Sequence, residues 1–325
     1  MAQVYLENVL QTFYDLEKWT PANNLIAQGV VTSNLLTGSE ANARVGKTIT
    51  KSFDENIDQT MNFVTVASEA GTITPVSISS YTASFPYQLK SAGITSTEFE
   101  AIYKGQEGNE QAVIKQLSGM RLAYLRKQQS DLKSLADAVL ATGQALEDHL
   151  VTTYNSSTFD GSNIRKALVG VLGEKRNQLR YMIAHSKVVE AMKTNKLVSY
   201  IANTDIANNF FANPTIPVFN NMLVVENDTF CAETSAGSNI YPIYCASDIA
   251  FDVEYSADLR ITDVTSTVGG GTLTKQFTGG YGVYIPGLTY GSTSVADADV
   301  YSGANWSLAW DKSEIGLVRI DVQGE

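Results

Sequence analysis

A histidine followed at once by a serine, His185-Ser186, closes the apolar run Tyr181–Ala184 within "QLRYMIAHSKVVEAMKTNKLVSYI". Acyl-transfer chemistry uses such a pair, with the imidazole as base for the hydroxyl. It also needs a third group to orient the base. Neighbouring side chains at a strand end point in different directions, and no G-x-S-x-G elbow occurs in the chain. The competing role is a helix start. His185 or Ser186 would accept free backbone N–H groups of a helix with apolar positions Val188, Val189, Met192 and Leu197.

Two glycine runs, "VGGGT" and "GGYG", resemble phosphate-cradling loops. Neither opens a helix or ends in Gly-Lys-Ser/Thr, so both read as β-turn glycines. Cys231 and Cys245 lack the paired spacing of a zinc site and read as small apolar residues in strands. His149 and His185 are the only histidines, too few for a histidine-rich metal centre. Acids are abundant, but no spacing selects a general acid and base. Trp306 and Trp310 read as core or interface packing. No catalytic, cofactor-binding or metal-binding residue is assigned, no cofactor is expected, and the chain is expected not to be an enzyme.

Composition narrows the classes further. With 325 residues and 44% hydrophobic content, the chain can bury a sizeable core in one large domain or two smaller ones. Net charge is −11, and the 23 Lys and Arg are scattered, densest at Arg121–Lys133 and Arg165–Arg180. Sequence-specific duplex binding would need them clustered against phosphates. There is no apolar run of about 18 residues to cross a membrane. The opening MAQVYLENVLQTFYDLEKW lacks a basic n-region with an apolar core, so synthesis and assembly in a cytoplasm are expected.

The elements that would position these residues run in a definite order. An amphipathic helix over Val4–Trp19 and a polar run to Arg44 read as an extended arm. "VGKTITKSF" and "TITPVSISSYTASFPYQL" read as the two strands of a long hairpin. Two strands are marginal alone, so the hairpin must lean on another part of the protein or on another subunit. Asn109–Leu150 repeats apolar residues at three- and four-residue steps, through Val113, Leu117, Met120, Tyr124, Leu132, Leu135 and Val139. Such a helix would span roughly 60 Å, a spine longer than one compact domain needs. Charges at Lys127–Asp131 interrupt the heptads, which places a coiled coil second. A helix, a strand and a helix follow to Ala202, with Gly170 and Gly173 as breaks. Strands then run through "NPTIPVFNNMLVVENDTF", with Asn220-Asn221 as a turn, to the final "NWSLAWDKSEIGLVRIDVQ". The class is α+β.

That order resembles the tailed-bacteriophage major capsid proteins, which share the Hong Kong phage capsid fold. The residues that carry the likeness are the strand-His-Ser-helix unit, "PVFNNMLVVENDTF", "YPIYCASDIAF", "YGVYIPGLTYGS" and the Trp-plus-Lys ending, all after a long helix. The resemblance implies an N-terminal arm (1–44), an extended loop hairpin (45–95) and a peripheral domain with the spine helix (96–165). It further implies an axial domain (166–260) and returning strands shared between the two domains (261–325). It implies hexamers and pentamers in an icosahedral shell around double-stranded DNA, held without sequence specificity, with a portal and a cement protein as further partners. No long N-terminal region precedes the arm, so any scaffolding would be a separate protein. Lys47 and Lys51 fall in the hairpin, but no motif marks them for crosslinking. Three other readings stand beside it: a cellular nanocompartment shell of the same fold, a phage tail tube or sheath, and a serine hydrolase.

Overall fold

The computed structural model describes residues 25, 32–36, 48–54, 80–97, 105–154, 161–202, 215–256, 260–266 and 272–323. The expected helix at 4–19, most of the arm and the hairpin tip lie outside the described residues.

The strands are β1 (Thr32–Leu36), β2 (Thr48–Asp54), β3 (Ser80–Pro86), β4 (Gln88–Thr97), β5 (Leu150–Tyr154), β6 (Leu179–Ala184), β7 (Ser199–Ala202) and β8 (Thr215–Phe219). They continue as β9 (Met222–Glu226), β10 (Ile240–Ser247), β11 (Asp252–Ser256), β12 (Arg260–Ser266), β13 (Thr272–Tyr284), β14 (Leu288–Tyr290), β15 (Trp306–Leu308) and β16 (Leu317–Gln323). The helices are α1 (Gly105–Leu140), α2 (Gly161–Leu172), α3 (Ser186–Thr194) and the single turn α4 (Asp297–Val300).

Helix α1 is the spine expected from the periodicity, with 36 residues and a length of about 54 Å. Its described inner face is Leu132, Leu135, Ala136, Val139 and Leu140, all fully buried. It stops ten residues short of the expected Leu150. Gly143 takes φ +80, and Leu146 N–H returns to the Val139 carbonyl. Glu147 Oε2 accepts from Gly143 N–H at 2.7 Å. His149 therefore leaves the helix and stands in a short 3-10 turn, Glu147–His149, that leads into β5.

The strands form two main sheets. The larger has the order β5-β16-β10-β6-β9-β8-β7, with β5∥β16 and β6∥β9 as its parallel pairs. Helices α2 and α3 bury Ile164, Leu168, Val188, Val189 and Met192 in a core shared with Met182, Ile243, Val318 and Ile320 of this sheet. The Asn220-Asn221 turn between β8 and β9 has both residues at positive φ (49° and 66°), as a two-residue hairpin loop requires. The expected break at Gly170 does not occur. That residue lies inside α2, and only Gly173, at φ +56, ends the helix.

The second sheet is built around β13. Strand β4 pairs along one edge of it, from Gln88↔Tyr281 to Thr97↔Thr272. The other edge carries β12 and then β11, and β1 adds to β11 in parallel. Here the structure corrects the reading of "GGYG". These are not turn residues, since Gly279–Gly282 lie inside the 13-residue strand β13. A Cβ on Gly280 would sit 2.7 Å from the Tyr87 ring, and one on Gly282 would sit 2.9 Å from the Pro86 carbonyl. The glycines are there because another piece of backbone and an aromatic ring lie flat against the strand.

The expected hairpin is present at its base. β2 and β3 pair antiparallel from Thr48↔Pro86 to Asp54↔Ser80. It leans on the body as anticipated: Ser84 N–H donates to Thr289 Oγ1 of β14 at 3.0 Å, and Phe85 stacks on Tyr284 at 4.2 Å. Cys245 lies in β10, but Cys231 lies in the turn after β9 and not in a strand. Both are buried and unbonded to each other. The chain leaves the larger sheet at Ser247, joins the second at Asp252, and returns to the first as β16 at Leu317.

Candidate functional site

The β6–α3 junction is where sequence chemistry pointed. His185 has extended backbone angles (φ −68, ψ 147) and is the N-cap of α3. Its Nδ1 accepts from Lys187 N–H at 3.1 Å. The capping side chain is thus the imidazole, and Ser186 plays a different part. The Ser186 N–H donates to Asp228 Oδ1 at 2.7 Å, and its hydroxyl donates to Asp228 Oδ2 at 3.1 Å. The His185 ring also lies against Tyr241, with centroids 4.6 Å apart. Lys187 Nζ donates to the Tyr241 hydroxyl at 2.9 Å.

A serine, a histidine and an aspartate therefore do converge, and the aspartate was missed from sequence. Strand β9 runs parallel to β6 and beside it, so the acidic residues after β9 land next to the start of α3. The order of the bonds is not that of a nucleophile. A catalytic base stands between the serine and the acid and uses opposite ring nitrogens for the two. Here the acid takes both hydrogens of the serine. The same nitrogen, Nδ1, faces Ser186 Oγ at 3.5 Å and Asp228 Oδ1 at 3.6 Å. The Asp228 carboxyl is held below its ordinary range: desolvation pushes it up, but the two Ser186 bonds and His185 outweigh that. The cluster satisfies the free N–H groups of a helix start.

Two polar centres tie α1 to the two sheets. Asp131, almost fully buried, accepts from Lys127 Nζ at 2.6 Å and from the Tyr281 hydroxyl of β13 at 2.5 Å. Lys90 of β4 lies 3.8 Å from Asp131 and also pairs with Asp297. Gln88 Nε2 donates to the Val295 carbonyl at 2.6 Å and to Asp297 Oδ1 at 2.9 Å, which holds β4 to the loop before α4. Asp137, six residues along α1, accepts from Arg319 Nη1 of β16 at 2.8 Å and from the Tyr244 hydroxyl of β10. Arg319 also grips Asp321 with two N–H groups, at 2.8 and 3.1 Å. Burial, then the Asp137 charge, pushes the Tyr244 phenol far up, so it stays a donor. Six residues on a 3.6-residue helix turn the two aspartates about 120° apart, so each faces a different sheet.

Cys231 and Cys245 are buried, and the thiols are pushed up by desolvation, Cys245 to about 12. Such thiols are poor nucleophiles. Trp306 is buried and donates its indole N–H to the Val300 carbonyl at 2.8 Å, a packing role. Among the described residues no group of three His, Cys, Asp or Glu is placed to hold a metal ion. No helix among them is long and apolar enough to cross a membrane.

No protein-family model matches the chain, and a comparison with curated proteins found no match. Solved structures do match. The capsid of Ralstonia phage GP4 aligns with a TM-score of 0.57 at 10% identity, covering 91% of this chain and 87% of that one. The fold is that of a phage capsid protein. The head structure of Helicobacter pylori bacteriophage KHP40 aligns at TM-score 0.53 and 10% identity, over 90% of this chain and 87% of that one. The holo-SrpI encapsulin complex from Synechococcus elongatus aligns at TM-score 0.51 and 8% identity, over 93% and 87%. The α+β class and the phage-capsid fold expected from sequence stand. In this capsid fold the His185–Asp228 cluster and the two aspartate centres hold one helix start and one spine in place.

Proposed function

We propose that the protein is a structural shell subunit, not an enzyme, that assembles into hexamers and pentamers of an icosahedral capsid around a double-stranded DNA phage genome. The observation that carries this reading is the match to a phage capsid over 91% of the chain. In this reading, residues 1–44 are the arm and 45–95 the extended loop, both lapping onto neighbours. Residues 96–165 are the peripheral domain, 166–260 the axial domain, and 261–325 serve both. The β2–β3 pair, two strands with support from β14, suits a loop whose outer end is completed by another subunit. Assembly would take place in the host cytoplasm, with a separate scaffolding protein, a portal and a cement protein as partners, and the shell would reside in the virion. Negative-stain microscopy of the purified protein tests the reading. Closed shells are expected, and helical tubes or only monomers would overturn it.

A second reading, a nanocompartment shell around a cargo enzyme, is favoured by the encapsulin match. Nuclease-protected DNA inside particles purified from the native host supports the capsid, and a co-purified protein cargo without DNA supports the compartment.

A further inference from the structure

Charge is divided along the chain within the larger sheet and its helices. Residues 161–196 hold eight Lys and Arg against two acids, whereas residues 215–250 hold four acids and no Lys or Arg. The topology converts this division into a polarity in space. Gly161 at the start of α2 lies against Phe219, at the β8–β9 turn, and the 3-10 turn Gly173–Gln178 leads directly into β6. Both places are at the end of the sheet where β6 and β9 begin. Arg165 stacks on Phe219, 5.7 Å from the ring, and Lys166 and Arg176 are exposed. None of these three has a carboxylate within ion-pair distance among the described residues. Acids at this end are already engaged or outnumbered: Glu314 pairs with Lys175, Asp248 lies 3.9 Å from Arg180, and Glu174 stands alone in the run 161–178.

The opposite end, where the parallel strands β6 and β9 finish, carries Glu226, Asp228 and Glu233, with Glu190 exposed on α3. Lys187 is bonded to the Tyr241 hydroxyl, and Lys193 is shared between Glu226 at 3.0 Å and Glu190 at 4.0 Å, one cation for two carboxylates, with Glu233 outside that pairing. The two ends are separated by the six residues of β6, about 20 Å. Val169, 44% exposed, lies one turn beyond Arg165 on α2, an apolar contact inside the cationic face.

We propose that the Arg165–Lys166–Val169–Arg176 face docks on the Glu190–Glu226–Glu233 end of a second copy of this chain. Opposite ends of one unit that attract each other make a head-to-tail contact, and such contacts close into rings when the rotation permits. This rests on the shell reading and adds to it which surface meets which. The acidic end that complements this face is carried by the chain itself, which makes a second copy the occupant.

The test uses the full chain and four samples: wild type, Arg165→Glu/Lys166→Glu/Arg176→Glu, the milder Arg165→Gln/Lys166→Gln/Arg176→Gln, and the first triple combined with Glu190→Lys/Glu233→Lys. Particles are counted by sedimentation and microscopy, with folding checked by circular dichroism. The Glu triple should lower shell yield at least tenfold while the subunit stays folded, and the combined chain, with both signs exchanged, should regain shells. Should the Glu triple misfold, the Gln triple replaces it with the same expected loss. Wild-type yield in both triples overturns the docking. So does normal shell yield with reduced DNA content, which would assign the face to nucleic acid. Failure of the wild type itself to form shells counts against the shell reading and is told apart by that sample alone.

Discussion

Asp228 accepts both polar hydrogens of Ser186, the backbone N–H at 2.7 Å and the hydroxyl at 3.1 Å. Asp228→Ala leaves a first-turn N–H of α3 without its acceptor and should cost about 1 kcal/mol in urea unfolding, typical of a lost cap. The carboxyl is depressed in the folded state, so its stabilisation is present above the ordinary Asp pKa and is lost as pH falls through the folded value. Wild type should therefore lose stability faster than Asp228→Ala in that acid window. A fluorophosphonate probe should leave Ser186 unlabelled, because its hydroxyl hydrogen is committed to the acid. Labelling would reopen the hydrolase reading.

Gly280 and Gly282 of β13 should be intolerant, and Gly170 of α2 replaceable. Gly282→Ala brings a Cβ to 2.9 Å from the Pro86 carbonyl, a backbone atom that cannot swing away. A loss of about 1–3 kcal/mol is expected, as for overpacking elsewhere. Gly170 is exposed inside a helix with nothing within 4 Å of its added Cβ, so Gly170→Ala should gain about 0.5–1 kcal/mol. Thermal melts of the two variants should move in opposite directions.

Arg319 ties β16 to α1 through Asp137 and to its own strand through Asp321. Arg319→Leu leaves both carboxylates without the guanidinium and should destabilise by about 2–3 kcal/mol, the low side of a broken buried pair because Asp137 is part exposed. Arg319→Lys should recover only part of this, since an ammonium cannot grip two oxygens in a planar fork. Denaturant midpoints of the two variants give the comparison.

His149 provides a second pH dependence. Burial first, against a bond to the Leu317 carbonyl at 2.7 Å, and then Lys312 hold its pKa below the ordinary 6.5. The folded protein thus keeps a neutral ring where the unfolded chain would already be charged. This contribution is whole above 6.5 and declines as pH falls toward the folded value. His149→Asn, which can still donate to Leu317, should flatten the stability profile just below that pH. An unchanged slope would show that the buried ring does not set it.

Asp54 and Ser80 face each other as the outermost described pair of the hairpin. Replacing residues 55–79 by Asn-Gly should therefore close β2 and β3 with a two-residue turn. The shortened chain is expected to melt within a few degrees of wild type and to form no shells. Normal particles from it would remove the extended loop from the assembly proposal.

The parts legible in the sequence are those that local chemistry fixes. The strand, His185 and α3 follow from an apolar run, a cap and a helical period within about fifteen residues. The Asn220-Asn221 turn follows from residues that tolerate positive φ. Asp228 was not legible, because it reaches Ser186 through parallel pairing of strands 42 residues apart in the chain. "GGYG" misled for a related reason. Glycine's turn preference is local, whereas the crowding by Pro86 and Tyr87 that selects glycine comes from a distant strand. The early end of α1 could have been read from Gly143, had its freedom been weighed against the apolar steps that continue past it.

Among the described residues strand β5 has one neighbour in its sheet, β16, and the His149 ring just before it is bonded to Leu317, 168 residues further along. A ribosome that has made β5 must therefore finish almost half of the chain before that strand meets β16. Chains terminated before β16 would carry an unpaired β5 and an open edge on β10, a ready substrate for chaperones and proteases. Completion of translation is thereby written into the sheet as a condition for a finished fold.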